Sequence, residues 1–230
     1  MSTLSDRLKN KEIILLDGRV SNESQQRGVA MGDEVWSGID HRTQPEITLQ
    51  VHEDYIRAGA QVITANTFST ARHVLESIDM GDQVRSINEE AVQLVRKARD
   101  NAADDEVWIA GSISSMAPFN NEEEVAMGKS LKSNYREMAE ILAESGVDLF
   151  IVEMMRETVN SILIIEAALS TGLPVWIGYS AMMADDGKSV INWRWKNVKS
   201  KPPTGDFEEL VKATAQLGGD AAGIMQNKGN

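Results

Sequence analysis

The sequence predicts an α/β fold, a TIM-type (β/α) barrel of about six units, on three observations. Short apolar runs alternate with segments of helical periodicity, several helices stop at glycine just before the next run begins, and the runs are almost continuously apolar. Strands of that last kind are buried on both faces, and strands alternating with helices of this length form parallel units. At 230 residues and 42% hydrophobic content the chain can bury one substantial core, so residues 1–230 are expected to form a single domain.

The elements follow in order. Residues 1–10 read as a short capped helix or tail, with Ser5 before Asp6 and Arg7 as its N-cap. The first strand, 12–17, carries Ile13 to Leu16 and stops in the turn Asp17-Gly18. Pro45-Glu46 opens a helix whose Ile47, Val51, Tyr55 and Ile56 share a face and which Gly59 closes. His52 lies in that helix and is expected in a surface or helix-packing role. The second strand is 61–66. A helix over 83–100 gathers Val84, Ile87, Ala91, Leu94 and Val95 on one side, and Asp104-Asp105-Glu106 links it to the third strand, 107–112. Helices over 131–145, 158–170 and 207–217 then feed strands 147–153, 174–180 and 220–226.

Parallel alternation leaves an open doubly wound sheet or a closed barrel. A dinucleotide-binding sheet calls for G-x-G-x-x-G after the first strand, which Asp17-Gly18-Arg19-Val20-Ser21-Asn22 does not supply, and no G-x-x-x-x-G-K-[ST] occurs. The barrel is therefore preferred, with its chemistry at the carboxyl ends of the strands. Those ends carry Asp17, Asn66, Ser112, Glu153, Tyr179 with Ser180, and Gln226. No lysine stands among them, which disfavours Schiff-base chemistry. A carboxylate ending a buried strand needs a cation, an amide or a ligand ammonium, and the wholly apolar Phe150-Ile151-Val152 makes this most pointed for Glu153. For Asp17 a cap on the following turn is the lesser alternative to that functional reading.

Composition excludes several classes. Lys+Arg 23 against Asp+Glu 35 gives a net charge of −12, which repels nucleic acid and anionic lipid surfaces. No apolar run approaches a membrane span, so a cytoplasmic protein is expected. With no cysteine, disulfides, a thiolate nucleophile and thiolate-held zinc are excluded from this sequence. His41, His52 and His73 lack metal-binding spacing. Glu122-Glu123-Glu124 reads as a solvated helix start and Asp185-Asp186-Gly187 as a turn. The pairs Met154-Met155 and Met182-Met183 read as core or pocket fillers, and Trp193-Arg194-Trp195-Lys196 as a lid or interface loop.

Several runs together resemble the homocysteine S-methyltransferase family. Leu16-Asp17-Gly18 with Glu23 and Gln25-Gln26-Arg27-Gly28-Val29 is similar to the family's D-G-G-x-G-T-E-L-Q-R-R-G, and Trp36-Ser37 follows. After Pro45-Glu46, His52-Glu53-Asp54-Tyr55-Ile56-Arg57-Ala58-Gly59-Ala60 and Ile63-Thr64-Ala65-Asn66-Thr67-Phe68 resemble H-x-x-Y-x-x-A-G-A-D-x-I-x-T-N-T-F. Ala110-Gly111-Ser112-Ile113 resembles G-S-I-G-P, and Gly146 to Glu153 resembles G-V-D-L-L-x-x-E-T. The resemblance implies methyl transfer to the thiol of a small amino acid. It also implies substrate binding by Asp17, Gly18, Glu23, Asn66, Ser112 and Glu153, with Glu153 on the ammonium.

The resemblance further implies zinc held by three cysteines, and here the sequence departs. Gln226 stands in the place of the first, at Gly223-Ile224-Met225-Gln226, and the later G-G-C-C segment has no counterpart. Arg19, Ser21 and Asn22 replace small or hydroxyl residues of the first motif, and Ser114-Ser115 replaces Gly-Pro. Six strands match where the family barrel has eight, so a homo-oligomer covering an open edge is expected. Three readings remain open: a family member with its zinc-dependent activity lost or altered, a noncatalytic small-molecule-binding or regulatory paralogue, or an enzyme using Asp17 and Glu153 as acid, base or hard-metal ligands. The expected ligand is a small amino acid or a sulfur or quaternary-ammonium compound.

Overall fold

The computed structural model describes residues 3–30, 35, 37–116, 128–184, 186–193 and 206–228. Five parallel strands stand side by side in chain order: β1 (Val62–Thr64), β2 (Trp108–Ser114), β3 (Leu149–Met155), β4 (Val175–Met183) and β6 (Ala221–Lys228). A short β5 (Val190–Asn192) returns antiparallel along the end of β4. Sequential parallel order without reversal is the order of a barrel wall, not of a doubly wound sheet.

Helices cover one face of this wall. Ile56 of α4 (Pro45–Arg57), Val92 and Val95 of α6 (Val84–Ala102), Tyr135 and Leu142 of α7 (Gly128–Glu144), Ile164 and Ile165 of α8 (Thr158–Leu169) and Leu210 of α9 (Phe207–Ala215) form one core with Ile63, Ile109, Phe150, Val152 and Ile177. Period-2 alternation sends the other strand residues to the opposite, inner face. There Val62, Ala110, Leu149 and Trp176 pack with Leu4 and Leu8 of α1 (Leu4–Lys9). Arg7 adds its guanidinium over the Trp108 ring at 5.3 Å. α1 thus stoppers the amino end of the inner face, and the polar residues lie at the carboxyl end.

Local chemistry explains the joins. Two incoming strands open with an aspartate that accepts the neighbouring strand's amide: Asp148 from Ile109 N–H at 2.7 Å, and Asp220 from Val175 N–H at 2.9 Å. Glu157 caps α8 by accepting from Val159 and Asn160, and Asp206 caps α9 by accepting from Glu208. Gly59 and Gly146 follow their helices at φ +100° and +84°, where a side chain would be strained.

The structure corrects several expectations. The N-cap of α1 is Thr3, whose hydroxyl accepts from Asp6 N–H in a reciprocal capping box, and not Ser5. Residues 12–17 do not form a strand: Leu16 makes a single bridge to Val62, and Ile13, Leu15 and Leu16 are 81%, 52% and 49% exposed. Backbone hydrogen bonds still tie this segment to the start of β1, with Gln61 and Val62 N–H donating to the Leu15 carbonyl and Asp17 N–H to the Val62 carbonyl. Of the two roles expected for His52, surface or helix packing, the structure shows the second: it is fully buried in α4. The helices α2 (Val20–Gln26), α3 (Asp40–Thr43) and α5 (Arg72–Leu75) were not expected. Trp36, Glu122 to Glu124, Asp185 and Arg194 to Lys196 fall outside the described residues. Asp186 does build a turn, accepting from the Ser189 hydroxyl and from Ser189 and Lys188 N–H, which holds its carboxyl down at about 2.

Candidate functional site

Two carboxyl groups stand at the carboxyl end of the inner face, near enough for the charge of Glu153 to act on Asp17. β2 and β3 pair with Ser114 opposite Glu153, which sets Ser112 one pleat below, and the Ser112 hydroxyl donates to Glu153 Oε1 at 2.6 Å. Asp17, just past the bridge to β1, receives Thr64 N–H on Oδ2 at 2.8 Å and the Thr64 hydroxyl on Oδ1 at 2.9 Å. Both residues are half-buried. Burial is the largest influence on each acid and pushes Asp17 up to about 7, against the Thr64 hydrogen bonds and with a further upward push from Glu153. Glu153 is likewise raised by burial, opposed by the Ser112 hydrogen bond and by the charge of Arg19. Each carboxyl is therefore short of a cation, and a ligand ammonium placed between them would draw both toward the ionised form.

The backbone that carries Glu153 is bent. Met154 sits at φ +57°, the register to β4 slips between Val152 and Met155, and Met154 N–H donates to the Met225 sulfur at 3.1 Å. A non-glycine residue in the left-handed region costs on the order of 1 kcal/mol and is held by its surroundings. Here they are Met225 and Ser115, whose hydroxyl donates to the Met154 carbonyl. Gly178 of β4 makes room for this arrangement: a Cβ there would lie 3.0 Å from the Met225 sulfur.

The remaining expected residues divide. Gly18 lies against Tyr55, where a Cβ would come within 2.5 Å of the phenol oxygen, so its lack of a side chain lets the ring pack beside Asp17. Asn66 lies two residues past β1, and its amide donates to the Ser37 carbonyl at 2.6 Å and so ties down a loop. Glu23, on α2, is ion-paired at 3.6 Å with Arg27, which also holds Asp54 at 2.9 Å. Glu23 still acts on the site's edge through Tyr55, whose pKa is raised by burial first and then by the charges of Glu23 and Asp17. The backbone of Gln226 pairs with Ser180, inside β6. Tyr179 faces away, its hydroxyl 2.6 Å from that of Thr214 among the helices.

Sequence reasoning missed Thr64 and Tyr55 as supports of the site, although both stand inside the quoted motifs. It placed Ser180 at a strand end, and the structure shows that hydroxyl buried on the inner face without a hydrogen-bond partner among the described residues. Among those residues no group of three His, Asp or Glu side chains suited to a metal ion occurs. No described helix is long and apolar enough to cross a membrane.

Comparison with known proteins gives three findings. The family model described as homocysteine S-methyltransferase matches residues 14–203. Among curated proteins, the homocysteine S-methyltransferase of Escherichia coli (strain K12) is 30% identical over 166 residues, 64% of this chain and 52% of that protein. Betaine–homocysteine S-methyltransferase 1 of Sus scrofa is 25% identical over 179 residues, 74% of this chain and 60% of that protein. The chain thus spans between half and about three-fifths of the length of these relatives. Among solved structures, the homocysteine methyltransferase MmuM from Escherichia coli in its oxidized form superposes with a TM-score of 0.72 at 21% identity, covering 94% of this chain and 74% of that one. Its metallated form gives 0.65 at 19% identity, covering 95% and 94%. The likeness shows the fold: a (β/α) barrel, of whose wall the described residues form five parallel strands.

Proposed function

The chain belongs to the homocysteine S-methyltransferase family, and from that premise we propose that its inner-face pocket binds a homocysteine-like amino acid for methyl transfer to the thiol. The observation that carries the reading is the pair of half-buried carboxyls, Asp17 on Thr64 and Glu153 on Ser112, both at the carboxyl end of one face and neither ion-paired among the described residues. In this proposal Glu153, held by Ser112, takes the ammonium. Asp17, held by Thr64, supplies the second negative charge, and Gly18 and Tyr55 shape the wall. Asn66 and Glu23 act from behind it, one fixing the Ser37 loop and the other bracing Arg27.

The residues present do not fit the zinc that the resemblance implies. No cysteine occurs in the sequence, Gln226 stands in the first ligand's place, and an amide oxygen is a poor substitute for a thiolate on zinc. No step of the proposal passes through that metal. A ligand thiol left to itself has a pKa of roughly 8.5, so it would enter mostly protonated at neutral pH. The cysteine-free sequence favours, as second reading, a binding protein that keeps the amino-acid pocket without the transfer.

One experiment separates the two. Incubation with homocysteine and each of S-methylmethionine, S-adenosylmethionine and betaine is expected to yield methionine, measured by mass spectrometry. Homocysteine binding by calorimetry without any methionine would support the binding protein instead, and absence of both would contradict the pocket. We also propose that the protein works in the cytoplasm as a homo-oligomer. Ile13, Leu15 and Leu16 flank one edge of the described sheet, Ile224 and Met225 the other, and all five are exposed. A monomeric mass by light scattering would contradict that assembly.

A further inference from the structure

We propose that Arg19 anchors the carboxylate of the bound amino acid, so that the pocket selects zwitterions over amines that lack a carboxylate. This rests on the amino-acid pocket proposed above and adds to it the residue that sets ligand class. Arg19 follows Asp17-Gly18 directly and is the N-cap residue of α2, its carbonyl accepting from the Tyr55 hydroxyl at 3.4 Å. That contact places the base of its side chain at the pocket wall made by Tyr55 and Gly18. The side chain itself is exposed.

Its partners, or their lack, make the argument. In this acidic protein the other described arginines are engaged: Arg7, Arg27, Arg42, Arg57, Arg72, Arg85, Arg99 and Arg136 with carboxylates, Arg96 with the carbonyls of Ser145 and Gly146, and Arg156 over Trp193. Arg19 alone among them makes no ion pair, hydrogen bond or ring contact through its guanidinium. Its charge nevertheless reaches Glu153, where it partly offsets the effect of burial. A guanidinium that is felt by a buried carboxyl without closing an ion pair on it leaves the arrangement a zwitterion satisfies. The ammonium goes to Glu153 and Asp17, and the carboxylate meets the planar, two-pronged donor of Arg19. The first motif of the resembled family has a small residue at this position, so the anchor is a property of this chain.

The test is calorimetric titration of the protein with L-homocysteine and with 3-mercaptopropylamine, the same molecule without its carboxylate. The wild type is expected to prefer homocysteine by at least about tenfold, the usual weight of a charge-assisted contact. Arg19→Ala is expected to reduce that preference to about threefold or less, with the amine's affinity unchanged and the thermal midpoint preserved, and Arg19→Lys to restore part of it. A wild type that binds both ligands equally overturns the proposal without any variant. So does an Arg19→Ala protein with the wild-type preference, or one that binds homocysteine more tightly, which would mean that Arg19 competes for Glu153. A wild type that binds neither ligand overturns the amino-acid pocket itself and this inference with it.

Discussion

Glu153→Gln is expected to weaken homocysteine binding on the order of a hundredfold, the consequence of removing one member of a buried charge pair worth about 3 kcal/mol. The same change should leave the protein folded. Burial already raises the Glu153 carboxyl, so the unliganded site gains little from the charge, and a glutamine oxygen accepts the Ser112 hydroxyl as the glutamate does. Calorimetry beside a thermal melt separates the two effects. Unchanged affinity with an unchanged melting midpoint would remove Glu153 from the pocket.

His52→Leu is expected to make the protein relatively more stable as the pH falls, by about 2 kcal/mol over wild type at pH 5. His52 is fully buried in α4 with neither ring nitrogen bonded among the described residues, and burial, then the neighbouring His41, hold its pKa down at about 4. Unfolded, the ring takes a proton near pH 6.5. Between those values the unfolded chain binds the proton that the folded chain refuses, so stability is lost as pH falls. Leucine has similar volume and no such proton. The comparison must be a difference between variant and wild type, because raised acids act in the opposite sense. Asp17 at about 7 and Asp40 at about 6, both raised chiefly by burial, favour the folded state as pH falls. Urea melts of both proteins at pH 7 and pH 5 measure the effect, and a difference that does not change with pH would show that His52 is solvated or paired.

The parallel alternation was legible because apolar runs and glycine stops are local signals, and they located five of the six expected strands. The first failed for a non-local reason: residues 12–17 meet β1 at the single bridge from Leu16 to Val62, and how far an apolar run pairs with a distant strand is not written in the run itself. Adjacent residues at a strand end could not be sorted either. Tyr179 and Ser180 point to opposite faces, and only the register to β3 decides which faces inward. The same holds for Ser112 and Glu153, whose hydrogen bond follows from the offset between β2 and β3 and not from their spacing in sequence. The hairpin to β5 was half visible: the turn at Asp186-Gly187 shows in the residues, but the three-residue strand after it is too short for alternation to mark. His52 carried the helical spacing, yet its burial depends on α2, α3 and α6 closing around α4, which no local pattern contains.

The acidic pair makes its own pH signature. An ammonium entering beside Asp17 favours its carboxylate, so binding below pH 7 expels the proton that Asp17 held in the empty site. Titrating homocysteine into the protein at pH 6 in buffers of different ionisation enthalpy counts the protons released. Release approaching about one proton per ligand, falling away above pH 7, is the predicted result; binding with no proton release at pH 6 would contradict the account.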